Sequence, residues 1–571
     1  MYLIGPLFRR EALTAPRQLS HFLTRAGYIG AFAVLIYTAA QTTFGFQSIR
    51  NISQVARFGS LIFQIVAVVQ LLLLTFFSVL FAAGNVANEK DRRTLLLLLT
   101  TDLRDRELVL GKLCASLLLP AVLWAVSIPV FLLIYLLGGV SLGQIGAVLA
   151  ITAATAVLAG TWGTCVAFWK EKTFQTLSIS LLGVVVFLAS VEGLGVLLTS
   201  VPNVAEAIRL LNPFRAILGI LDPFNWQAEF RPAMQSVLEL AALAAAITVA
   251  TIIQLRVWNP SRSVTEHAAK DDTAAGRVRH ARVVWESPVI WREMRTRAYG
   301  RKVLLIKLAF VLLAGFLIWS ALQSPLTGSS NSLGIVPAAG AAFIGLCLLS
   351  LMLVNTQAVT SITSERDAAT LELLLVTEIT AKEFIYGKLG GVLYNSKELI
   401  LTPWAFLIYL TTIGACTAEN FVYISIGFFT LVMFSALLGL HSGLNYGSSR
   451  TAIANSLGTM FFLFVGIILC MILILQARSS YALQLPSFLV FIVGGSLALG
   501  ASLNARTPAP ALWLSAWVLP FCTFYAITSF LLGQTLGVCL FITAAYGFTA
   551  IAMLVPAVSE FDIALGKRNA G

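Results

Sequence analysis

The chain has 571 residues, of which 58% are hydrophobic and only 11% charged, with a mean hydropathy of +0.88. A soluble protein carries about 25% charged residues, so this chain lacks the polar surface to face water, and a water-soluble globular protein is excluded. Its net charge of +12 could point to nucleic acid, but excess Lys and Arg in a membrane protein collects on cytoplasmic segments; the charge is read as orientation, with no nucleic-acid partner.

Residues 1–25 carry Arg9, Arg10, Glu11, Arg17 and Arg25 ahead of the first apolar run, so no cleavable signal peptide is expected and that run is a retained span. Runs such as 58–84 exceed the roughly 20 apolar residues that cross a ~30 Å hydrocarbon core. With no water there, each run must satisfy its own backbone groups, which forces helices. The expected fold is all-α, a polytopic membrane protein with about 14 transmembrane helices (6 + 8), by count of apolar runs. Six spans fall near 27–47, 58–84, 114–137, 143–169, 174–200 and 234–257. Eight more fall near 303–322, 334–360, 391–414, 421–447, 452–476, 482–503, 510–532 and 536–557. An even number puts both termini on one side.

With that side cytoplasmic, the inside segments are 1–26, 85–113, 170–173, 258–302, 361–390, the 448–451 turn, the Arg506 turn and the tail with Lys567 and Arg568. They hold most of the basic residues. Arg50, Arg57, Arg209, Arg215, Arg231 and Arg478 fall outside, three of them within 201–231. The apolar stripe and the "NPF" and "DPF" breaks of that segment predict short helices at the outer interface or dipping in; an ordinary long loop is the alternative. The seven cysteines (114, 165, 347, 416, 470, 522, 539) form no CxxC pair and read as small core residues.

Residues 89–113, "EKDRRTLLLLLTTDLRDRELVLGKL", and 365–389, "ERDAATLELLLVTEITAKEFIYGKL", align without a gap at an offset of 276, with 12 of 25 positions identical. Leucine matches carry little in a leucine-rich chain. Glu89/Glu365, Asp91/Asp367, Thr94/Thr370, Glu107/Glu383 and Gly111-Lys112/Gly387-Lys388 carry more. Ahead of each half, "GPLFRREALTAPR" (5–17) matches "SPVIWREMRTRAYGR" (287–301) through Pro6/Pro288, Arg10/Arg292 and Glu11/Glu293. Both read as amphipathic helices along the cytoplasmic surface. A weaker match joins 167–181 to 445–459, a polar turn opening the next span. Two homologous, parallel halves follow. The first is 1–257, an interface helix plus six spans; 258–286 is a linker; the second is 287–571, an interface helix plus about eight spans, two extra ones at its end.

Each hairpin follows an outside-to-inside span and precedes an inside-to-outside one. Within it a Thr precedes a leucine block, then come a polar break and a second short helix ending in Gly-Lys. Thr380-x-x-Glu383 has capping-box spacing and should start that helix; the first copy has Arg104 at the Thr position, so its cap must differ. A plain connector with solvated charges is the simplest alternative. A connector, however, has no need of the same Glu–Thr–Leu block and Gly-Lys end twice. A repeated protruding element points to a repeated docking surface for a partner with two similar lobes.

The stretch resembles the cytoplasmic segment between the second and third spans of the ATP-binding-cassette (ABC) type 2 permeases, the exporter membrane subunits. Their pattern is roughly Glu-x-x-x-x-Thr-Leu-Glu-x-Leu-Leu, a turn, then Glu-x-x-x-Gly-Lys. A typical half has six spans, an amphipathic helix before the first, and short re-entrant helices outside between the fifth and sixth. Residues 5–257 resemble that in full, and 287–476 as far as the fifth span. The resemblance implies that each hairpin is a coupling helix, which carries nucleotide-driven closure of ATPase subunits to the spans. The matching positions are Glu365, Thr370, Glu372, Glu383, Gly387 and Lys388, and in the first half Glu89, Thr94, Glu107, Gly111 and Lys112. Leu96 stands where the second copy has Glu372, and Arg92 and Arg93 where it has Ala368 and Ala369, so the two docking surfaces need not be equivalent.

No G-x-x-x-x-G-K-[ST] occurs, since the two repeated Gly-Lys pairs are followed by Leu and Gly566-Lys567 by Arg, and the linker is too short for a nucleotide-binding domain. ATP and Mg are therefore expected on a separate ABC-type ATPase subunit, in two copies. This chain would hold no cofactor or metal and perform no catalysis. There is no HExxH or GxGD, and of the histidines (21, 267, 280, 441) only His267, beside Glu266, has an acidic neighbour in sequence; His441 reads as a helix-packing residue. An ion-coupled secondary transporter is the rival. It would hold ionisable groups near the midplane, where Glu192 is the only carboxylate, without a partner in sequence; Glu239, Lys307, Lys397 and Glu398 lie near span ends, within snorkelling reach. A non-transporting membrane scaffold is a third reading. Small residues at matching places, "GTWGTCVAF" (160–168) and "GLHSGLNYG" (439–447), predict close helix packing. The expected protein is a multi-pass permease subunit of an ATP-dependent exporter in the cell (inner or plasma) membrane, both termini cytoplasmic. Nothing in the sequence names its substrate.

Overall fold

The computed structural model describes residues 5–14, 19–45, 51–92, 94–198, 201–222, 225–259, 287–295, 303–323, 337–368, 370–371, 379–476, 484–505 and 509–564. Outside them lie Glu372 and the second leucine block, Arg93, Ala369, Arg50, Arg478, Arg506, Lys567, Arg568, His267, His280 and all but the first two residues of the expected linker.

Every element among the described residues is an α-helix. The first half comprises α1 (Gly5–Thr14), α2 (Leu19–Phe44), α3 (Ile52–Asp91), α4 (Thr94–Leu99), α5 (Asp105–Leu137), α6 (Leu142–Trp169), α7 (Thr173–Leu197), α8 (Pro202–Leu210), α9 (Pro213–Leu221) and α10 (Trp226–Trp258). The second comprises α11 (Pro288–Arg295), α12 (Val303–Gln323), α13 (Ala338–Asp367), α14 (Ala381–Asn395), α15 (Lys397–Thr412), α16 (Ala418–Asn445), α17 (Ser449–Gln476), α18 (Leu485–Leu503), α19 (Pro510–Leu531) and α20 (Thr535–Ala564).

Thirteen of these helices are long and apolar enough to cross a membrane. The fourteenth expected span, 391–414, is divided at Ser396 between α14 and α15. Ser396 is fully buried and its hydroxyl donates to Gln357 Oε1 at 2.6 Å. At the repeat offset it corresponds to Pro120, buried within the unbroken α5, where the ring removes one backbone donor. A second expectation also changes. Gly111-Lys112 and Gly387-Lys388 do not end a short helix: they lie inside α5 and α14, which begin at the hairpin turn and continue onward. At 40 residues, α3 is about 60 Å long, so it must project well past a ~30 Å hydrocarbon core.

Packing inside the two sets runs in parallel. α3 packs on α6 and α7 as α13 packs on α16 and α17, and α1 packs on α5 as α11 packs on α14. The glycine-rich stretches sit at the tightest crossings. A Cβ on Gly163 would lie 2.8 Å from Val79 O, and one on Gly439 would lie 2.8 Å from Asn355 O; both members of each pair are related by the 276 offset. That offset also relates Trp169 to Asn445 and Thr173 to Ser449, the ends and starts of the flanking helices, so the turn match drawn from 167 and 445 is two residues out of register.

The extra pair of helices is not at the end of the second half. α10 packs on α6 and α5, and its counterpart in that role is the last helix, α20, which packs on α16 and α14. The additional helices are α18 and α19, inserted where the first half has short α8 and α9. α9 is amphipathic and dips in, with Ile217 and Ile220 fully buried. The halves meet symmetrically: α3 against α17, and α7 against α13. Phe76 stacks on Phe461 there, ring centroids 4.3 Å apart.

Candidate functional site

Each hairpin begins where a long helix runs out and its last carbonyls lose their partners. Thr94 Oγ1 donates to Glu89 O (3.2 Å) and Thr370 Oγ1 to Glu365 O (3.0 Å), the same bond in both copies. Two residues that the sequence reading passed over extend the pattern. Lys90 Nζ donates to Lys170 O (2.9 Å) and to Phe168 O; Arg366 donates to Gly443 O (3.1 Å) and to Tyr446 O. These carbonyls end α6 and α16, where a cation satisfies unpaired acceptors and opposes the helix dipole. The signal was present as a conservative basic pair, Lys90/Arg366, at the repeat offset.

The returning helices start as their sequences require. Thr380 N–H donates to Glu383 Oε2 (3.0 Å) and Glu383 N–H to Thr380 Oγ1 (3.2 Å), a reciprocal capping box. In the first half Arg104 N–H donates to Glu107 Oε2 (3.2 Å), but a guanidinium offers no acceptor in return. Here α10 helps instead: Arg256 Nε bonds both oxygens of Asp105, at 2.8 and 3.0 Å.

The second half gathers four of the repeated charged residues into one cluster. Lys388 Nζ donates to Glu293 Oε1 (2.6 Å), Glu365 Oε1 (2.7 Å) and Ser361 O (3.2 Å). Arg292 donates to Glu365 and to Glu293 Oε1 (3.2 Å). Lys388 and Glu293 are each only 2% exposed. Burial alone would push the Glu293 carboxyl up, but the charges of Lys388 and Arg292 outweigh it and hold it below the ordinary carboxylate range. Close approach of α11 makes this possible. A Cβ on Gly387 would lie 2.7 Å from Val289 Cγ1, and one on Gly391 2.6 Å from Glu293 Cβ. The interface helix, the end of α13 and α14 are thereby tied at one point.

The first half builds a smaller version. Lys112 is buried and pairs with Glu89, Gly111 is buried beside it, and Arg10 and Glu11 of α1 are exposed, unlike Arg292 and Glu293. The two hairpin bases touch: Arg92 reaches Asp367 Oδ1 at 3.5 Å, while Thr173 donates to the equivalent Asp91.

What remains outward on the first hairpin is mixed: Arg92, Thr100, Thr101, Asp102, Arg104 and Arg106 are exposed, and with them two leucines. α4 buries Leu95 against Val86, Leu108 and Phe168, and leaves Leu96 44% and Leu97 68% exposed. Elsewhere, Glu192 is not alone. Its carboxylate accepts from Asn212 Nδ2 (2.7 Å) and Arg215 NH2 (3.1 Å), which anchors the α8–α9 segment to α7. Lys307 pairs with Glu398 at 2.6 Å rather than snorkelling. His441 is a packing residue: Nε2 lies 3.0 Å from Leu503 O and 2.9 Å from Asn445 Nδ2.

Comparison with characterised proteins and with solved structures gives no match. A family model described as ABC-2 family transporter protein matches residues 24–255, the first half from α2 to the last turn of α10. Over those residues the chain is similar to the ABC-2 family of transporters, and its thirteen long apolar helices are those of a multi-pass membrane protein.

Proposed function

We propose that the chain is the membrane-spanning permease subunit of an ATP-driven exporter, with residues 287–571 forming a second copy of the matched unit. A separate ABC-type ATPase would dock on the two hairpins, one lobe on each, with ATP and Mg bound there. The hairpins and both termini then face the cytoplasm, and the membrane is the cell's inner or plasma membrane. The observation that carries this reading is the exposure of Leu96 and Leu97 on α4, the short helix between α3 and α5, two large apolar side chains presented among the exposed polar and charged residues of the hairpin.

Docking and wiring divide between different residues in this reading. Glu89, Lys112, Glu365 and Lys388 hold the hairpins to the spans, and α4 presents the contact surface of the first. Closure of the ATPase would pull on α3 and α13 and shift the population between inward- and outward-open states. The test is purification of the tagged chain from its native membrane. A Walker-motif ATPase should co-purify with the wild type and be lost from Leu97→Glu, a variant that leaves the internal bonds intact; equal recovery with both would sink the proposal. The rival ion-coupled transporter has one observation in its favour, the partly exposed Lys307–Glu398 pair near the starts of α12 and α15. Glu398→Gln should leave transport intact here and abolish it there.

A further inference from the structure

The two halves treat one cleft differently. In each half the fifth and last spans, α7 and α10 or α17 and α20, flank the fourth span from opposite sides. In the second half the inserted α19 packs on both α17 and α20 and fills the space between them. The first half has no such helix. Between α6, α7 and α10 it holds a cavity of about 350 Å³, lined by Leu158, Trp162, Phe187, Phe214 and Leu243 among others. Clefts of about 300–1,000 Å³ are the size that takes small ligands. The polar side chains on its wall are few. Trp162 Nε1 is already spent on Ser180 O (3.2 Å) and Thr155 Oγ1 on Ile151 O (2.7 Å), so the buried Thr75 hydroxyl offers the one free donor among them. Gly183 shapes the wall, because a Cβ there would lie 2.6 Å from the Trp162 indole.

A second helix cannot be the occupant. α9 lies across the outer end, Pro213 and Phe214 closing the cavity while its core side is buried against α3, α6 and α10. A spanning helix would have to pass through it. A flexible chain entering from the lipid side does not. The other face of α9 turns Arg215 into a polar recess of about 390 Å³ shared with Glu206 and Arg209, whose two guanidinium groups are of the charge that attracts a lipid phosphate.

We propose that the first half binds one phospholipid acyl chain in this cavity, with its head group at the Arg209–Arg215 recess. The site is asymmetric, since α19 occupies the corresponding place in the second half. It does not depend on an ATPase partner. The full chain in nanodiscs containing phosphatidylcholine with a diazirine-bearing acyl chain tests it by irradiation and peptide mass spectrometry. Adducts should be several-fold enriched on Trp162, Phe187 and Leu243 relative to the lipid-facing Leu304 and Leu312 of α12. Val184→Trp, which fills the cavity from α7, should remove that enrichment and leave the α12 adducts unchanged. Leu243→Trp serves as the second filling variant, and thermal melting identifies whichever of the two stays folded. Uniform labelling, enrichment that survives filling, or a polypeptide cross-linked in place of lipid would each overturn the proposal.

Discussion

Lys388 shows how far a residue's environment is from its sequence context. It is buried and bonded to two carboxylates on two other helices. Removing one member of such a set leaves uncompensated charge at a cost of about 3–5 kcal/mol. Lys388→Met should therefore lower the melting temperature in detergent markedly, while the same change at exposed Lys382 should not. A pH dependence follows from Glu293. Its pKa in the folded chain is depressed, so it contributes stability above its ordinary carboxylate pKa and loses it as pH falls through the lower folded value. The melting difference between wild type and Glu293→Gln should be full at neutral pH and shrink on acidification below about 4.5; a difference constant down to pH 3 would refute the assignment. That these residues mattered was legible, because Glu365, Lys388, Arg292 and Glu293 repeat in the other half. That they bond to one another was not: 73 residues separate Arg292 from Glu365, and a buried charge reads the same as a solvated one.

At the level of helices, apolar length was a good guide. Spans were visible because lipid demands them, and the Thr380–Glu383 cap because its chemistry is local. Tertiary effects were not visible. The division at Ser396 depends on a bond to Gln357, and the insertion of α18 and α19 emerges only from which helix packs on α16. Glycine spacing was legible as close packing, and the structure makes the expectation quantitative. Gly439 meets backbone and Ala358 Cβ, so neither neighbour can move aside, whereas Gly447 has nothing within 4 Å. Gly439→Ala should destabilise by about 1–3 kcal/mol as an overpacked site, and Gly447→Ala should be silent. Paired melting curves decide this, and equal shifts would mean that the α13–α16 crossing is looser than the structure shows.

Across the whole molecule, the arrangement is that of a dimer written into one chain. The contacts between halves repeat about a pseudo-two-fold: α3 with α17 and α7 with α13, and outside them α2 with α17 and α12 with α7. A shared apolar cluster of Phe76, Leu80, Leu177, Val359, Ile453 and Leu457 runs through the junction. One contact breaks the symmetry, because α18 crosses to pack on α2 of the other half. Nothing in this list requires the covalent linker. A protease site placed after Gly276 should therefore give two fragments that stay together through affinity purification and gel filtration in mild detergent. The interface is built from apolar packing at bilayer depth, where lipid tails compete as well as any side chain, so shape decides the outcome more than hydrophobicity. Truncating the stacked pair with Phe76→Ala and Phe461→Ala should then let the cleaved fragments separate while the uncut double variant stays folded. If the cleaved wild-type fragments part on their own, the linker is what holds the halves, and motion driven at one hairpin would have no rigid route to the other.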